Sequence, residues 1–230
     1  MSVGENLAAV QQRIAAACGR AGRDPAAVRI IAVSKTQPAD AVVEAIAAGV
    51  DAIGENRVQE AAAKRPQVAG DTPWHLIGPL QRNKAKAALE LFDVVETVDR
   101  PEIADRLEAL LAPSGRVLPV LIEVNVGGEA QKSGVAANLA PALAARLLES
   151  CPHLALRGLM TVPPYDPDPE RARPHFAALN RLADELARRL RVPGLDLSMG
   201  MSEDFEVAVE EGATLVRLGR VLFGERRPWP

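Results

Sequence analysis

Short apolar runs alternate with longer alanine- and arginine-rich segments along nearly the whole chain. Eight runs predict buried β-strands, because aliphatic and β-branched residues follow one another in them with little polar alternation. These runs are Val28–Val33, Val50–Ile53, Trp74–Ile77, Val94–Val98, Val117–Val126, Leu154–Met160, Leu195–Met199 and Thr214–Leu218. The segments between them have helical periodicity, most clearly in Gln81–Leu91, Glu102–Leu111, Leu139–Leu148 and Arg173–Leu190. Strands that alternate with helices predict βαβ units and a parallel sheet.

The number of runs favours one architecture. Eight strands point to the α/β class and to a closed (β/α)₈ barrel of the TIM type. An open, doubly wound sheet stays the alternative, because strand counts from one sequence can err by one or two. The 230 residues suit one barrel, so we expect a single domain over residues 1–230 that begins with a helix. That helix is predicted by apolar residues at helical spacing and a glycine stop, namely Leu7, Val10, Ile14, Cys18 and Gly22.

Composition narrows the possible partners and compartments. The net charge of −3 argues against nucleic acid or an anionic membrane as the main partner, since both need a basic surface. No segment approaches the ~20 apolar residues of a membrane span, and the N-terminus lacks signal-peptide features. Cys18 and Cys151 are too few for a disulfide framework, so we expect free thiols. Three histidines without a CxxC pattern predict no metal site. We therefore expect a cytoplasmic protein and, without a long exposed apolar stripe, a monomer.

Polar residues follow the first three predicted strands, where a barrel carries its active site. Lys35 follows the first strand and would lie over the barrel mouth, although it could also be a surface lysine. Asn56 follows the second strand and could bond a ligand oxygen or cap the next helix. His75 alternates with apolar neighbours in the third strand, so a bonded core histidine is as good an interpretation as a catalytic one.

The last two strands suggest a phosphate site. Ser202 lies at the expected start of a helix, where amide groups favour an anion. Gly219 and Arg220 end the eighth strand, and many barrels bind phosphate in the loops after strands seven and eight. The simpler alternative is a capping serine and a turn glycine. A glycine-rich segment at 127–134 gives a weaker phosphate signal and lacks the Walker pattern.

A lysine over the mouth and a phosphate site opposite it suit an aldehyde cofactor that is anchored by its phosphate. Pyridoxal 5′-phosphate (PLP) is the obvious candidate. Arg217 could then face the pyridine nitrogen and, unlike a carboxylate, would disfavour its protonation. The ring would be a weaker electron sink, which suits either a protein that holds PLP or a racemase that avoids side reactions.

Seven collinear motifs identify a family that the chain resembles. They are VSKTQP from Val33, GENRVQE from Gly54, WHLIGPLQRNK from Trp74, EVNVGGEAQKSG from Glu123, GLMTVP from Gly158, LSMGMSEDFEVAVEEGAT from Leu197 and VRLGRVLFGER from Val216. The chain is similar in these motifs to the YggS/PROSC family of pyridoxal phosphate homeostasis proteins. The resemblance implies a barrel like the N-terminal domain of alanine racemase.

The resemblance also implies roles for individual residues. Lys35 would form the Schiff base with PLP, and Arg217 would meet the ring nitrogen. The phosphate would be bound by Ser202 and by backbone around Met201, Gly219 and Arg220. The ring would be lined by Asn56, Met160 and His75. Arg220 is a departure, because the family usually has a small hydroxyl residue there; a backbone contact survives this change, whereas a side-chain hydroxyl contact does not.

Three functions are considered. The favoured one is a PLP carrier or buffer that stores the cofactor or passes it to apo PLP-enzymes. The alternative is a PLP-dependent amino-acid racemase, which would need a second base opposite Lys35. Tyr165 is the only tyrosine, and its proline-rich loop is not expected to fold over the mouth. The third is a PLP-independent barrel that acts on a phosphorylated metabolite.

Overall fold

The sheet has nine strands within the residues that the structure describes. The computed structural model describes residues 2–129, 131–192 and 194–224; the outer ends of the expected domain, Met1 and residues 225–230, lie outside the described residues. The strands are β1 Arg29–Val33, β2 Ala52–Glu55, β3 Trp74–Leu76, β4 Val94–Val98, β5 Leu118–Asn125, β6 Val135–Ala136, β7 Leu154–Met160, β8 Asp196–Ser198 and β9 Leu215–Leu218. All eight predicted strands are confirmed, and only the two-residue β6, which pairs with the end of β5, was not predicted.

The pairing of β4 with β5 closes the sheet into a barrel. The remaining neighbours run in the order β4-β3-β2-β1-β9-β8-β7-β5, and the described ladders are parallel. Val95 of β4 pairs with Val120 of β5, so the two strands that would be edges of an open sheet bond to each other. The (β/α)₈ prediction is confirmed, and the open doubly wound sheet is excluded.

Helices surround the strands. They are α1 Val3–Ala21, α2 Ala39–Ala48, α3 Val58–Lys64, α4 Ala85–Leu91, α5 Pro101–Leu111, α6 Ala140–Ser150, α7 Arg173–Leu190, α8 Phe205–Glu210 and α9 Arg220–Phe223. The predicted first helix is confirmed: a capping box of Ser2 and Glu5 begins it, and Gly22 ends it at a φ of 65°. Helix α1 packs on α2, α8 and α9.

The strands separate two apolar regions. Ile30 and Ala32 belong to the large core between strands and helices, which also contains Phe92, Phe176 and Phe205. Their neighbour Ile31 points the opposite way and packs in a small cluster with Ala52, Leu121, Met160 and Leu215. This small cluster therefore lies inside the barrel. Side chains at every second position of a strand point the same way, so polar residues at these positions also point into the barrel interior.

Three further findings concern the cysteines, the helices and the groups of side chains that could bind a metal. Cys18 and Cys151 are both buried and free, as predicted. None of the helices in the described part of the chain is long and apolar enough to cross a membrane. Within the same residues, histidine, cysteine, aspartate and glutamate side chains form no group of three or more that could hold a metal ion.

Candidate functional site

A cavity of about 320 Å³ lies at the carboxyl ends of the strands. Its wall brings together seven of the nine predicted site residues, which are Lys35, Asn56, Met201, Ser202, Arg217, Gly219 and Arg220. These residues follow or end β1, β2, β8 and β9. Since parallel strands present their carboxyl ends at one rim, residues far apart in sequence meet there.

Lys35 lies two residues after the end of β1, beyond Ser34, and is half-buried in the cavity wall. The next residue, Thr36, has a φ of 64°, which is unusual for a β-branched side chain. Its amide donates to Glu60 Oε2 at 3.1 Å, and the amide of Gln37 donates to the carbonyl of Ser34 at 2.9 Å. The turn that carries Lys35 is thus held from two sides.

A buried ion pair lies directly behind this turn. Lys64 Nζ donates to Glu55 Oε1 and to the carbonyl of Ser34, each at 2.7 Å, and Ser34 Oγ donates to Glu55 Oε1 at 2.6 Å. Burial raises the pKa of Glu55, and the Lys64 charge and these hydrogen bonds act against it. The cluster ties α3 and β2 to the end of β1.

Asn56 lines the cavity and does not cap the following helix. The N-cap residue of α3 is Arg57, whose side chain makes no capping hydrogen bond. Gly78 explains why Asn56 is held in place: a Cβ at Gly78 would come within 2.2 Å of the Asn56 carbonyl oxygen. The loops after β2 and β3 are therefore in backbone contact.

Ser202 contacts a different helix from the one predicted. Helix α8 begins at Phe205, so the prediction of Ser202 at a helix start is wrong. The Asp204 carboxylate accepts the Met201 amide at 2.6 Å, and this turn delays the helix. Ser202 Oγ instead accepts the amide of Val221, in the first turn of α9, at 3.3 Å. The two expected phosphate loops, after β8 and β9, are thereby joined.

The side chain of Arg220 forms an ion pair with Glu203, which also lines the cavity. The Arg220 side chain is 53% exposed and the Glu203 side chain is 41% exposed. An exposed pair of this kind contributes little to stability. It does place the guanidinium of Arg220 against a carboxylate.

A hydrogen-bonded chain continues from Arg217 into the barrel. Arg217 is only 4% exposed; its Nη1 donates to Ser198 Oγ and its Nη2 to the carbonyl of Thr161, each at 2.7 Å. Ser198 Oγ donates in turn to Glu96 Oε2 at 2.5 Å, and His75 Nδ1 lies 2.5 Å from Glu96 Oε1. An ionised carboxylate only accepts, so Nδ1 of His75 carries the proton in this contact.

Electrostatics keep Glu96 ionised. Burial opposes its charge, but the hydrogen bonds from His75 and Ser198 and the charge of Arg217 outweigh burial and lower its pKa. Burial likewise lowers the pKa of the Arg217 guanidinium, and nearby carboxylates, first Glu96, act against that. Glu96 is thus the main counter-charge for an arginine in the cavity wall, and Ser198 links the two.

Glu123, at the end of β5, lacks this support. Its side chain is buried, and its Oε2 has no hydrogen-bond partner within the described residues. Burial and the charge of Asp99 raise its pKa to about 7, although Arg217 and Arg100 act in the opposite direction. Glu123 therefore changes charge near neutral pH.

Two predicted ring-lining residues do not line the cavity among the described residues. His75 is buried and bonded to Glu96, which agrees with the interpretation as a core histidine. Met160 is fully buried in the small apolar cluster inside the barrel. Neither side chain lines the cavity, so both can influence its wall only through their neighbours.

The loop of Tyr165 reaches the cavity, contrary to expectation. Tyr165 and Val162 are both lining residues, and Tyr165 is 79% exposed. Gly127 and Lys132 of the glycine-rich segment support this loop, and no described residue of the segment lines the cavity. Lys132 Nζ donates to the carbonyl of Pro163 at 2.9 Å, and a Cβ at Gly127 would come within 2.9 Å of the ring of Pro164.

Five polar residues of this region were not singled out in the sequence, namely Glu55, Lys64, Glu96, Glu123 and Ser198. A signal was present for some of them. Glu96 and Glu123 interrupt the apolar runs of β4 and β5, and a charged residue in a strand buried on both faces needs a partner. Which partner it finds depends on how the barrel closes.

Comparison with known proteins assigns the family. Residues 6–227 match the alanine racemase N-terminal domain family. The chain is 50% identical to the pyridoxal phosphate homeostasis protein of Pseudomonas aeruginosa, covering 98% of this chain and 96% of that protein. It is 44% identical to the protein of the same name in Aquifex aeolicus, covering 99% and 100%.

A solved structure gives the same result. PipY of Synechococcus elongatus, with PLP bound, superposes with a TM-score of 0.81 at 37% identity, covering 97% of this chain and 100% of that one. The chain therefore belongs to the alanine racemase N-terminal domain family and, within it, to the family of the pyridoxal phosphate homeostasis proteins.

Proposed function

We propose that this protein binds PLP in the cavity at the barrel mouth and serves intracellular PLP homeostasis by storing or transferring the cofactor. The observation that carries the proposal is the shared cavity of Lys35, Ser202 and Arg217. An amine, a hydroxyl and a guanidinium group line one volume of about 320 Å³, which supports the proposed roles of Lys35 in the covalent link, Ser202 at the phosphate and Arg217 at the ring nitrogen. Relatives named for PLP homeostasis and a relative with PLP bound support it.

The residues at the phosphate end fit such a group. Ser202 Oγ accepts from Val221, so its hydroxyl proton is available for a phosphate oxygen. The first amides of α9, including that of Arg220, have no acceptor inside the helix. Gly219 and Met201 bring further backbone to the same wall. Glu203 adds a negative charge at this end, which its ion pair with Arg220 offsets.

The residues at the other end fit the ring and the aldehyde. Lys35 supplies the amine for a covalent link as a Schiff base, and Asn56 offers an amide beside the ring. Arg217 can only donate hydrogen bonds, so a ring nitrogen that it contacts remains an acceptor. When bound, PLP supplies an electrophilic aldehyde on an electron-withdrawing ring. An unprotonated ring withdraws fewer electrons, which suits retention of the cofactor more than turnover of an amino acid.

The remaining parts of the proposal concern context. We propose one domain over residues 1–230, a monomer, and a cytoplasmic location in which PLP passes to apo-enzymes. The net charge of −3 offers no basic surface for nucleic acid. The exposed cavity rim, with Tyr165 79% exposed, is compatible with exchange of a small ligand.

The proposal is tested by the visible absorption spectrum of the protein mixed with PLP, before and after borohydride reduction, followed by peptide mapping. We expect a band that reduction removes and a pyridoxyl group on Lys35. Lys35→Ala should abolish both and retain the fold. Lys86→Ala, which changes an exposed lysine of α4, is the matched control and should behave like the wild type. Unchanged covalent labelling of Lys35→Ala would overturn the assignment.

An amino-acid racemase is the second candidate, because the Tyr165 loop does reach the cavity. Racemisation needs one base on each face of the α-carbon, and Lys35 and Tyr165 are the pair available. The strong exposure of Tyr165 weighs against it, since an open site does not exclude water. Conversion of L-alanine to D-alanine, followed by chiral chromatography, decides: conversion that Tyr165→Phe removes would establish the racemase.

A further inference from the structure

A second, larger cavity of about 600 Å³ lies beside the first. Asn56 lines both cavities, so the two cavities are neighbours and share this residue in their walls. The second cavity is formed by the loops after β2 and β3 and the start of α3. Its lining residues are Asn56, Arg57, Val58, Gln59, Glu60, Pro79, Gln81 and Lys84.

The charges of the second cavity favour an anion. Arg57 and Lys84 form no ion pair with any residue of the described ranges. The only lining carboxylate, Glu60, already accepts the Thr36 amide at 3.1 Å and lies 3.8 Å from Lys64 Nζ. Two cations that form no ion pair within the described part of the chain therefore line one volume, together with a single carboxylate that already has other partners.

The neutral lining residues add hydrogen-bond donors. Gln59 and Gln81 carry side-chain amides, and both are exposed to the cavity rather than buried in the core. Arginine and lysine together with amide donors are the groups that bind carboxylate and phosphate oxygens. A volume of this size matches the pockets that take small molecules, whereas a polypeptide needs an extended groove.

The cavity is also held in shape by the fold. The close approach of Gly78 to the Asn56 carbonyl presses the two loops together. Thr97 Oγ1 donates to the carbonyl of Gly78 at 2.9 Å, and Arg100 Nη2 donates to that of Leu80 at 3.2 Å. The loop that carries Gln81 is thus fixed from β4 and its following turn. Preformed donors bind a ligand with little loss of conformational entropy.

We propose that this second cavity binds a small anion, a carboxylate or a phosphate compound, through Arg57 and Lys84. The site goes beyond the proposed PLP function and does not depend on it. Its ligand lies next to the PLP cavity, with Glu60 connecting its wall to the Thr36 amide beside Lys35. The side-chain amides of Gln59 and Gln81 complete the contacts to the ligand.

The test uses NMR of the whole ¹⁵N-labelled protein, titrated separately with inorganic phosphate and with succinate. The amide groups of Gln59 and Gln81 report on the second cavity, and the backbone amides of Ser202 and Gly219 report on the first. We expect saturable shifts at Gln59 and Gln81 with at least one anion. Phosphate alone, or succinate alone, would identify the class of ligand.

The double variant Arg57→Gln/Lys84→Gln should weaken this binding roughly tenfold or more, as expected when charge-assisted hydrogen bonds are lost. Signals of Ser202 and Gly219 should keep their positions, which shows that the variant is folded. Arg82→Gln, which changes an exposed cation two residues before Lys84 that does not line the cavity, is the control and should bind like the wild type. Absent shifts at Gln59 and Gln81 with both anions, or equal binding by the double variant, would overturn the proposal, whatever happens at Ser202.

Discussion

Ser198 Oγ accepts a hydrogen bond from Arg217 Nη1 at 2.7 Å and donates its own proton to Glu96 at 2.5 Å. A hydroxyl group thus connects a fully buried glutamate to an arginine in the wall of the proposed PLP cavity. Neither charge is solvated, so each depends on the other through Ser198. The hydrogen bonds inside the barrel therefore help to hold Arg217 in the cavity wall.

The first prediction concerns Glu96. Glu96→Gln removes the counter-charge of Arg217 and should lower the free energy of unfolding by about 3 to 5 kcal/mol, the usual cost of leaving a buried charge unpaired. Urea unfolding measures this, with an unchanged slope indicating the same two-state transition. Glu90→Gln, on the exposed face of α4, is the control and should change the stability by less than about 0.5 kcal/mol. Equal stabilities of the two variants would contradict the role of Glu96.

The second prediction concerns pH and Glu123. Its pKa in the folded protein is about 7, against an ordinary value of 4.5. The folded protein therefore holds a proton that the unfolded chain has released between these values, and the contribution of Glu123 to stability falls as pH rises through this window. Glu123→Gln should remove that loss and be more stable than the wild type at pH 8, by on the order of 2 kcal/mol.

Urea unfolding of both proteins at pH 5 and pH 8 measures the effect of Glu123. The difference between variant and wild type should be small at pH 5 and large at pH 8. Glu185→Gln, an exposed position on α7, should show no such dependence. A difference that is the same at both pH values would rule out titration of Glu123 as its cause.

The third prediction concerns the ion pair behind Lys35. Lys64→Met leaves the Glu55 carboxylate buried without its cation and should cost about 3 to 5 kcal/mol of unfolding free energy. The double variant Glu55→Gln/Lys64→Met should recover at least half of that loss, because no uncompensated charge is left. A double-mutant cycle by urea unfolding measures the coupling. Additive losses would show that the two side chains act independently.

The fourth prediction concerns the turn next to Lys35. Thr36 is held at a φ of 64°, where a β-branched residue costs roughly 1 to 2 kcal/mol, and its buried Oγ1 has no partner among the described residues. Thr36→Gly and Thr36→Asn both tolerate this conformation and should raise the melting temperature. Differential scanning calorimetry measures it. Destabilisation by both variants would mean that the Thr36 side chain contributes packing that outweighs the backbone strain.

The local pattern of residues was sufficient for most of the fold. All eight barrel strands overlap the predicted apolar runs, and the predicted end of α1, Gly22, has the left-handed conformation expected of a stop glycine. This succeeds because strands buried on both faces and helices with one apolar face leave distinct periodicities. The same reasoning placed Lys35, Asn56 and Arg217 at strand ends, and parallel strands carry their ends to one rim.

Tertiary structure decided everything that depends on pairs of residues distant in the chain. Barrel closure through β4 and β5 distinguished the fold from an open sheet. Ser202 contacts the first turn of α9 and does not begin α8, because the Asp204 carboxylate accepts the Met201 amide in a turn that precedes α8. Glu96 and its hydrogen-bond partner Ser198 are 102 residues apart in the chain. The sequence of β4 or of β8 alone does not predict that they pair. Periodicity records which face of an element is buried, whereas the neighbour across the barrel is determined only when eight strands close around a common interior.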